Sequence, residues 1–396
     1  MTATHATQST STVGPVLYLS MDLGENSWTL GFTVGMGQRP RLRTIRARDT
    51  ATLLAEITKA KKRFNLPEEA PVRSCYEAGR DGFWLHRFLV HHGIANVVVD
   101  SSSIETNRRW RRAKSDPLDT TKLIEMLIRW YNGESRVWRV VNVPAVEDEA
   151  RRQLNRELTT LKDERTEHSN RIKGLLASLG LGGITVNASL PQKLEELRQW
   201  DDAPLPAEYK VRILRELERW KLVDAQIRQL EIQQRRTIRD QADPQAEQMA
   251  LLLMLKGVGV VGAWVAVREI FGWRQIKNRR QLGGLVGLTP TPYSSGESQR
   301  EQGISKAGND RVRCLLIELA WAWLRYQPQS DLSRWYHKRF GSGNSRMRKL
   351  GIVALARKLL IALWKYLDRG EIPQGAILVD WRQKLNGKPP SSRRAS

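Results

Sequence analysis

The first third of the chain alternates between short β-rich runs and amphipathic helical patterns. Three β-rich runs separated by glycine-containing turns come first: Val16–Asp22, Trp28–Val34 and Arg41–Ala47. Helix, strand, helix, strand and helix patterns follow at Ala51–Phe64, Val72–Glu77, Gly82–His92, Ala95–Asp100 and Pro117–Trp130. The order βββ-α-β-α-β-α predicts an α/β domain whose sheet has an antiparallel hairpin at one edge.

The segment from about Val146 to Gln241 has the apolar spacing of two long paired helices. One series at steps of three and four is Leu154, Leu158, Leu161, His168, Ile172, Leu175 and Leu179, with Arg165 interrupting it; the second is Ile213, Trp220, Val223, Ile227 and Leu230. Such steps produce an apolar seam, so we expect a coiled-coil-like arm that turns within Gly180–Pro206. An arm of this kind serves oligomerisation or spacing.

From Leu251 onward the pattern is one of short helices with glycine-rich connections. Leu255–Gly272 has the form of a helix-hairpin-helix, with an apolar helix end, a turn containing Gly257 and Gly259, and a second apolar helix. Backbone N–H groups in such a turn suit a phosphate oxygen. An ordinary tight turn between packed helices has the same pattern, so both interpretations stand.

Length and composition predict a globular protein of two or three domains. The chain has 396 residues, 40% of them hydrophobic, with 14 tryptophans, which is enough apolar material for folded cores. We divide it into a disordered leader, an α/β domain, a coiled-coil arm, a helical domain and a basic tail, at residues 1–15, 16–145, 146–245, 246–385 and 386–396.

Charge and cysteine content narrow the classes of function. Lys and Arg number 65 against 42 Asp and Glu, and the net charge of +23 indicates a polyanionic partner, above all nucleic acid. Two cysteines exclude a disulfide scaffold and a four-cysteine zinc site, and they fit a reducing cytosol. Met1–Gly14 lacks a secretory signal, and the most apolar window, Leu251–Val267, is too short to span a membrane.

Four acidic residues stand where a metal-dependent phosphoryl-transfer site would need them. Asp22 ends the first strand, Glu77 ends a later strand, and Asp116 and Asp119 begin a helix. In ribonuclease-H-like nucleases, which have the predicted strand order, these strand ends and the last helix converge, and such carboxylates bind Mg²⁺. The competing interpretations are structural: Asp116 followed by Pro117 as a helix N-cap, Asp119 as a first-turn acid, Asp22 as a turn residue and Glu77 as a surface acid.

A polar, glycine-punctuated loop follows the helix-hairpin-helix pattern. It carries Ser294-Ser295-Gly296 and four cations able to hold a phosphodiester: Arg300, Lys306, Arg311 and Arg313. A serine hydroxyl needs a base or a metal to act as a nucleophile, and no histidine lies in this loop. Without further context, Ser-Ser-Gly is typical of a turn.

Taken together, these motifs resemble a known family. Asp22, Glu77, KSDPLDTTKL, LKGVGVVGAW and GLTPTPYSSGE…GISKAGN…R resemble the DEDD transposases of the insertion-sequence-110 family, the bridge-RNA-guided recombinases, in order and approximate spacing over about Val16–Trp323. The resemblance implies a RuvC-like ribonuclease-H-fold domain, a coiled-coil arm and a helical transposase domain with a helix-hairpin-helix. In one departure, Glu297-Ser298 precede Arg300 where many members have a second glycine and then Lys or Arg.

The resemblance also implies a mechanism. The family's metal-binding acids correspond to Asp22, Glu77, Asp116 and Asp119, which would hold Mg²⁺. Its nucleophilic serine corresponds to Ser294, with Ser295 as the less favoured candidate. Attack of this serine on a DNA phosphodiester would give a covalent phosphoserine intermediate before strand exchange.

The partners implied are donor and target DNA and a non-coding bridge RNA that base-pairs with both. The family works as homodimers that pair into a tetramer, in a bacterial or archaeal cytoplasm and at the nucleoid. A basic run directly before the proposed metal helix would grip a nucleic-acid backbone, or it is a solvated face: Arg108, Arg109, Arg111, Arg112 and Lys114.

Two other hypotheses compete with a recombinase. A RuvC-type junction endonuclease would use water as its nucleophile and would need the carboxylates but not Ser294. A non-catalytic nucleic-acid-binding protein would bind without Mg²⁺, and its acids would serve as helix caps.

Overall fold

The computed structural model describes residues 14–104, 116–134, 136–241, 243–295 and 298–386, with the backbone alone for 116–118 and 292–302. The chain divides into two compact units, Met1–Val143 and Pro144–Ser396. Nearly all of the predicted leader and tail lie outside the described residues. The first unit is mixed α/β and the second is mainly helical.

The first unit contains a five-stranded sheet. Its elements are β1 (Leu17–Leu23), β2 (Ser27–Thr33), β3 (Arg41–Arg46), α1 (Thr50–Arg63), β4 (Val72–Glu77), α2 (Trp84–His91), β5 (Ala95–Val99), a 3₁₀ turn (Ser101–Ser103) and α3 (Asp116–Tyr131). The predicted element order is therefore confirmed. The strands lie in the order β3-β2-β1-β4-β5, and β1 is antiparallel to β2 but parallel to β4.

The two faces of this sheet bury different helices. Successive side chains of a strand point to opposite faces, so β1 contributes alternate residues to two cores. Leu17 and Leu19 pack in one cluster with Leu53 of α1 and Leu85 of α2. Tyr18 packs in the other, among apolar residues of α3.

The second unit begins with the arm and continues as a helical core. Its elements are α4 (Val146–Ala150), α5 (Gln153–Ala177), α6 (Leu190–Glu196), α7 (Ala207–Asp240), α8 (Ala246–Met254), α9 (Val260–Ala266), a π-helical turn (Val267–Phe271), α10 (Arg279–Leu285), β6 (Pro290–Ser295), β7 (Ser298–Ile304), α11 (Asp310–Tyr326), α12 (Asp331–Phe340), α13 (Ser345–Arg369) and α14 (Trp381–Asn386). None of the described helices is long and apolar enough to cross a membrane.

Helices α5 and α7 form an antiparallel pair, as the apolar spacing predicts. Lys162 contacts Glu231 at 2.9 Å near one end, and His168 contacts Glu216 at 2.7 Å further along. The buried seam includes Leu158, Leu161, Ile172 and Leu176 from α5, with Ile213, Leu217, Val223 and Ile227 from α7. Arg165, which interrupts the apolar series, reaches across the pair to Asp224 at 2.7 Å.

The segment expected to be a serine-bearing loop is an antiparallel β-hairpin, made of β6 and β7. Thr289, Thr291 and Tyr293 alternate with prolines, which gives the β-branched and aromatic spacing of a strand. The prolines are compatible with this assignment because a two-stranded sheet has only edge strands. The turn signals near Ser294 therefore belong to a hairpin.

Candidate functional site

Asp22 and Glu77 lie at the carboxyl ends of two neighbouring parallel strands. The register of β1 and β4 pairs Ser20 with Cys75 and Met21 with Tyr76, so Asp22 and Glu77 are the next residue on each strand. Asp22 is half-buried and Glu77 is exposed. The structure thus brings these two predicted site residues to the same edge of the sheet.

Helix α3 covers the face of the sheet on which these two acids lie. The Ser20 hydroxyl donates to the Thr120 carbonyl at 2.8 Å, and the Cys75 thiol contacts the Leu123 carbonyl at 3.8 Å. Because side chains alternate along a strand, Asp22 shares the face of Ser20, and Glu77 shares the face of Cys75. Burial raises the pKa of the Cys75 thiol, which keeps it neutral beneath the helix.

A glycine allows the first turn of α3 to approach the sheet. A Cβ atom at Gly31 would lie 2.6 Å from Cγ2 of Thr120 and 3.0 Å from the Ser20 hydroxyl. Asp119, which directly precedes Thr120, is half-buried in that first turn. Asp119 therefore lies one residue from the point where α3 contacts β1 and β2.

The fourth predicted acid, Asp116, is the first residue of α3, and its side chain lies outside the described residues. Among the described side chains, no three Asp, Glu, His or Cys residues are close enough to hold a metal ion. The basic run Arg108–Lys114, which includes Arg108, Arg109, Arg111, Arg112 and Lys114, also falls outside the described residues.

The serine-bearing hairpin is described by its backbone. Ser294 is paired with Gln299, Ser295 with Ser298, and Tyr293 with Arg300. Ser294 therefore lies one residue pair from the end of the described ladder. The side chains of Ser294, Ser295 and Arg300 are outside the described residues.

The other predicted phosphate-holding cations lie just beyond the hairpin. Lys306 and Arg311 are exposed. Arg313 instead donates to the Val286 carbonyl at 3.2 Å and to the Lys306 carbonyl at 2.9 Å, and it pairs with Asp310. Its guanidinium therefore ties the chain on both sides of the hairpin together.

The Gly257 turn is held by residues 377–384, a contact that the sequence does not predict. Gly257 has a φ of +96°, and a Cβ atom there would lie 3.2 Å from Cβ of Tyr326. The Lys384 ammonium donates to the carbonyls of Leu253, Leu255 and Val258 at 2.5, 2.8 and 3.0 Å. Burial lowers the pKa of Lys384 to about 8.

Backbone hydrogen bonds also hold the Gly257 turn. Lys256 N–H donates to the Ile377 carbonyl at 3.0 Å, and Val379 N–H donates to the Met254 carbonyl at 2.8 Å. The buried Gln327 amide donates to the Lys256 carbonyl at 2.9 Å. We call Ile377–Lys384 the C-terminal strap. It borders a groove of about 520 Å³ that the Gly257 turn also lines, together with Lys162, Arg235 and Lys256.

A buried ionic network joins the root of the arm, by which we mean the start of α5 and the end of α7, to the helical core. The Arg268 guanidinium, 3% exposed, donates to both carboxylate oxygens of Asp243 at 3.0 and 2.6 Å. Burial acts to raise the pKa of Asp243, but hydrogen bonds from Arg268 and Gln245, with the charges of Arg268 and Arg151, outweigh it and lower the pKa. No short-range sequence signal announces this network, because its partners are far apart in the chain.

The known proteins to which this chain is similar are transposases. The model described as "Transposase IS116/IS110/IS902 family" matches residues 249–337, which contain the Gly257 turn and the hairpin. A Sinorhizobium fredii protein named transposase y4rJ is 40% identical over 374 residues, covering 91% of this chain and 94% of the relative. The Yersinia enterocolitica transposase for insertion sequence element IS1328 is 26% identical over 58% of this chain and 66% of the relative.

Proposed function

Because the chain belongs to the IS110 family of transposases, we propose that it is a DNA recombinase that uses Ser294 as nucleophile and a carboxylate cluster to hold Mg²⁺. Membership rests on a relative that is 40% identical and matched over 94% of its length. The chain is accordingly a transposase, an enzyme that acts on DNA. The four acids of the proposed cluster are Asp22, Glu77, Asp116 and Asp119.

We assign the first unit to the RuvC-like ribonuclease-H fold. The sheet order β3-β2-β1-β4-β5, with parallel pairing only among β1, β4 and β5, supports this assignment. The antiparallel pair of α5 and α7 supports a coiled-coil arm, and α8 with α9 around the Gly257 turn supports a helix-hairpin-helix. In that motif Gly257 and Gly259 would bring backbone N–H groups near a DNA phosphate.

One observation supports the carboxylate site most directly: Asp22 and Glu77 follow the paired residues Met21 and Tyr76, near the carboxyl ends of β1 and β4, on the face of the sheet that the helix bearing Asp119 covers. The donors are all carboxylate oxygens, which are the ligands that Mg²⁺ prefers. When bound there, Mg²⁺ would polarise the scissile phosphate and favour the deprotonated serine. The acids themselves would hold the metal, because carboxylates alone repel an anionic phosphate.

In the proposed reaction, the Ser294 oxygen loses its proton and bonds to phosphorus, and one strand's ester oxygen leaves and takes up a proton to become a hydroxyl. Reversal of this step by a hydroxyl of another strand would rejoin the DNA and release the serine. Exposed Lys306 and Arg311, close to the hairpin base, would hold the DNA backbone, as would Arg300. The net charge of +23 supports both DNA and a bridge RNA as partners, and we include a homodimer that assembles into a tetramer in the proposal.

The test is excision of the element in cells, detected by PCR across the sealed junction. We expect junctions from the wild-type gene with its native flanks and a loss of at least a hundredfold in Ser294→Ala and in Asp119→Ala. Ser295→Ala and Asp100→Asn are matched controls, a neighbouring serine of β6 and an acid directly after β5. Both controls should retain excision within about threefold.

Other outcomes select the competing functions. Excision that persists in Ser294→Ala but fails in Ser295→Ala moves the nucleophile by one residue. Nicked DNA from each of the two serine variants, with none from Asp119→Ala, indicates an endonuclease that uses water. Binding without Mg²⁺ and without cleavage in any variant indicates the non-catalytic hypothesis.

A further inference from the structure

Glu269 is a buried carboxylate that joins three parts of the second unit. It lies in the π-helical turn Val267–Phe271 and is 4% exposed. A carboxylate removed from water is stable only when cations or hydrogen-bond donors surround it. Here those groups come from the start of α5 and from the residue that precedes α11.

The root of the arm supplies two arginines. Arg156 donates from Nε to Oε1 of Glu269 at 3.3 Å and from Nη2 to Oε2 at 3.5 Å. Nη1 of Arg152 lies 3.8 Å from Oε2, and Arg152 is itself buried against the ring of Trp273. Burial lowers the pKa of Arg152, whereas the charge of Glu269 acts to raise it. The carboxylate is therefore the counter-charge that this buried guanidinium needs.

The base of the serine-bearing hairpin supplies the third group, Asn309. Its side-chain amide donates to Oε2 of Glu269 at 3.1 Å, while its Oδ1 accepts from Val312 N–H at 3.3 Å as the N-cap of α11. Its backbone N–H donates to the Leu285 carbonyl at 2.8 Å. Asn309 is thus fixed to three elements at once.

Backbone contacts fix the short segment between the hairpin and Asn309. Ser305 N–H donates to the Thr289 carbonyl at 2.9 Å, which closes the base just beyond β6 and β7. A Cβ atom at Gly308, where φ is +92°, would lie 2.2 Å from the Leu285 oxygen. A displacement of Asn309 would therefore displace the point from which both strands leave the core.

We propose that Glu269 and Asn309 are positioning residues for the hairpin β6–β7: their hydrogen bond fixes the base of that hairpin to the root of the arm. The proposal rests on Ser294 being the nucleophile, because the position of the hairpin then decides where the attacking oxygen lies. In this proposal neither residue touches the reacting phosphate. They act through the backbone that carries the serine.

The first test separates positioning from helix capping. Asn309→Ser keeps an N-cap hydroxyl for α11 and loses the bond to Glu269. Asn344→Ser is the matched control, because Asn344 caps α13 by accepting from Met347 N–H at 2.9 Å and lies outside the Glu269 cluster. We expect Asn309→Ser alone to speed hydrogen exchange of the hairpin amides about tenfold and to reduce excised junctions at least tenfold. Equal behaviour of the two variants in both measurements overturns the proposal.

A reversed pair supplies the second test. Asn309→Asp keeps the cap but sets a second carboxylate against Glu269, so we expect faster exchange and less excision than in Asn309→Ser. Adding Glu269→Gln to Asn309→Asp restores one amide and one carboxylate at this contact but leaves Arg152 and Arg156 facing a neutral partner, so we expect exchange and excision to recover part of what Asn309→Asp loses. A double variant no better than Asn309→Asp contradicts a direct coupling of the two residues.

The exchange measurement is independent of the serine assignment. If the reversed pair restores protection of the hairpin amides, the positioning role is supported whatever Ser294→Ala does. If Ser294→Ala still excises DNA, the serine mechanism is wrong, but the positioning role is unaffected. Loss of excision in Ser294→Ala, with unchanged hairpin exchange in every Asn309 variant, keeps the serine and removes the positioning role.

Discussion

At the scale of residues, Arg268 and Asp243 show how a buried charge in the second unit is paired. Arg268 is almost fully buried, and its guanidinium forms a two-pronged contact with Asp243 and a further bond to Gln245 at 2.8 Å. Such a pair contributes little net stability, but removal of one partner strands the other charge in a medium of low dielectric. The ionisation of Asp243 is therefore coupled to the folding of this unit.

The sign of that coupling predicts the acid limb of stability. The pKa of Asp243 is lower in the folded chain than the ordinary 3.8, so the unfolded chain binds more protons between the two values. The contribution of Asp243 is present above about pH 4 and is lost as the pH falls through the folded pKa. We expect Asp243→Asn to lower the free energy of unfolding by about 3 kcal/mol at pH 6.

This difference should shrink as the pH falls below about 4, because the unfolded wild-type chain then binds a proton at this carboxyl that the folded chain does not. Urea unfolding followed by tryptophan fluorescence measures it, with the exposed Glu218→Gln as control. A gap between Asp243→Asn and wild type that is the same at pH 6 and pH 2.5 contradicts the linkage.

The sequence was informative about single residues where local chemistry and element position agree. The β-rich runs place Asp22 and Glu77 at strand ends, and in the structure Glu77 is the last residue of β4 and Asp22 the last but one of β1. Glu269 and Lys384 were missed, because their partners are set by folding: Asn309 lies 40 residues from Glu269, and Leu253 lies 131 residues from Lys384. No local pattern encodes such distances.

At the scale of elements, the contact of α3 with the sheet depends on a glycine. Gly31 of β2 leaves the space that Cγ2 of Thr120 occupies, and this space lets the Ser20 hydroxyl reach the Thr120 carbonyl. The helix carries Asp119, so its distance from the sheet also sets the distance of that acid from the strand ends. Packing and the proposed site depend on the same glycine.

We expect Gly31→Ala to destabilise the first unit by about 2 kcal/mol, because the added methyl group overpacks this contact. Thr120→Ser removes the opposing Cγ2, so the double variant Gly31→Ala with Thr120→Ser should recover most of the loss. Gly35→Ala is the control, since no atom lies within 4 Å of a Cβ there. Denaturant unfolding measures all three, and a double variant as unstable as Gly31→Ala contradicts steric overlap as the cause.

Elements with strong periodicity were predicted well from the sequence. The βββ-α-β-α-β-α order and the two long helices of the arm follow from spacing alone. The sequence predicts a loop where the serine-bearing hairpin lies, because the strands contain prolines and a Ser-Ser-Gly turn signal. The base of the hairpin is closed by Gly287 and Gly308, which pack against backbone distant in the sequence. Pairing of this kind is decided by tertiary contacts.

At the scale of the whole molecule, each hydrophobic core lies within one of the two units. The clusters of the α/β sheet contain residues from Val16 to Val143, and the helical and arm clusters contain residues from Leu154 to Leu385. The root of the arm shares its core with the helical part, where Ile238 of α7 and Leu154 of α5 pack. The arm is therefore continuous with the helical core.

We expect the fragment Pro144–Asn386 to fold by itself, because its cores need no apolar residue from the first unit. Its far-UV circular dichroism should match the helical content of α4–α14, and it should unfold in one cooperative thermal transition. The fragment Pro144–Tyr326, which lacks α12–α14 and the C-terminal strap, is the contrasting variant and should melt without cooperativity. Equal behaviour of the two fragments would mean that α12–α14 and the strap together add nothing to this fold.

The C-terminal strap has a consequence for decaying gene copies. A reading frame that stops after Gly370 still encodes the whole family-matched segment and every acid and serine of the proposed site. Its product nevertheless lacks Ile377 and Lys384, and with them the groups that order the Gly257 turn. A survey that counts intact motifs would score such a copy as functional, whereas its protein has lost the contacts between the C-terminal strap and the Gly257 turn.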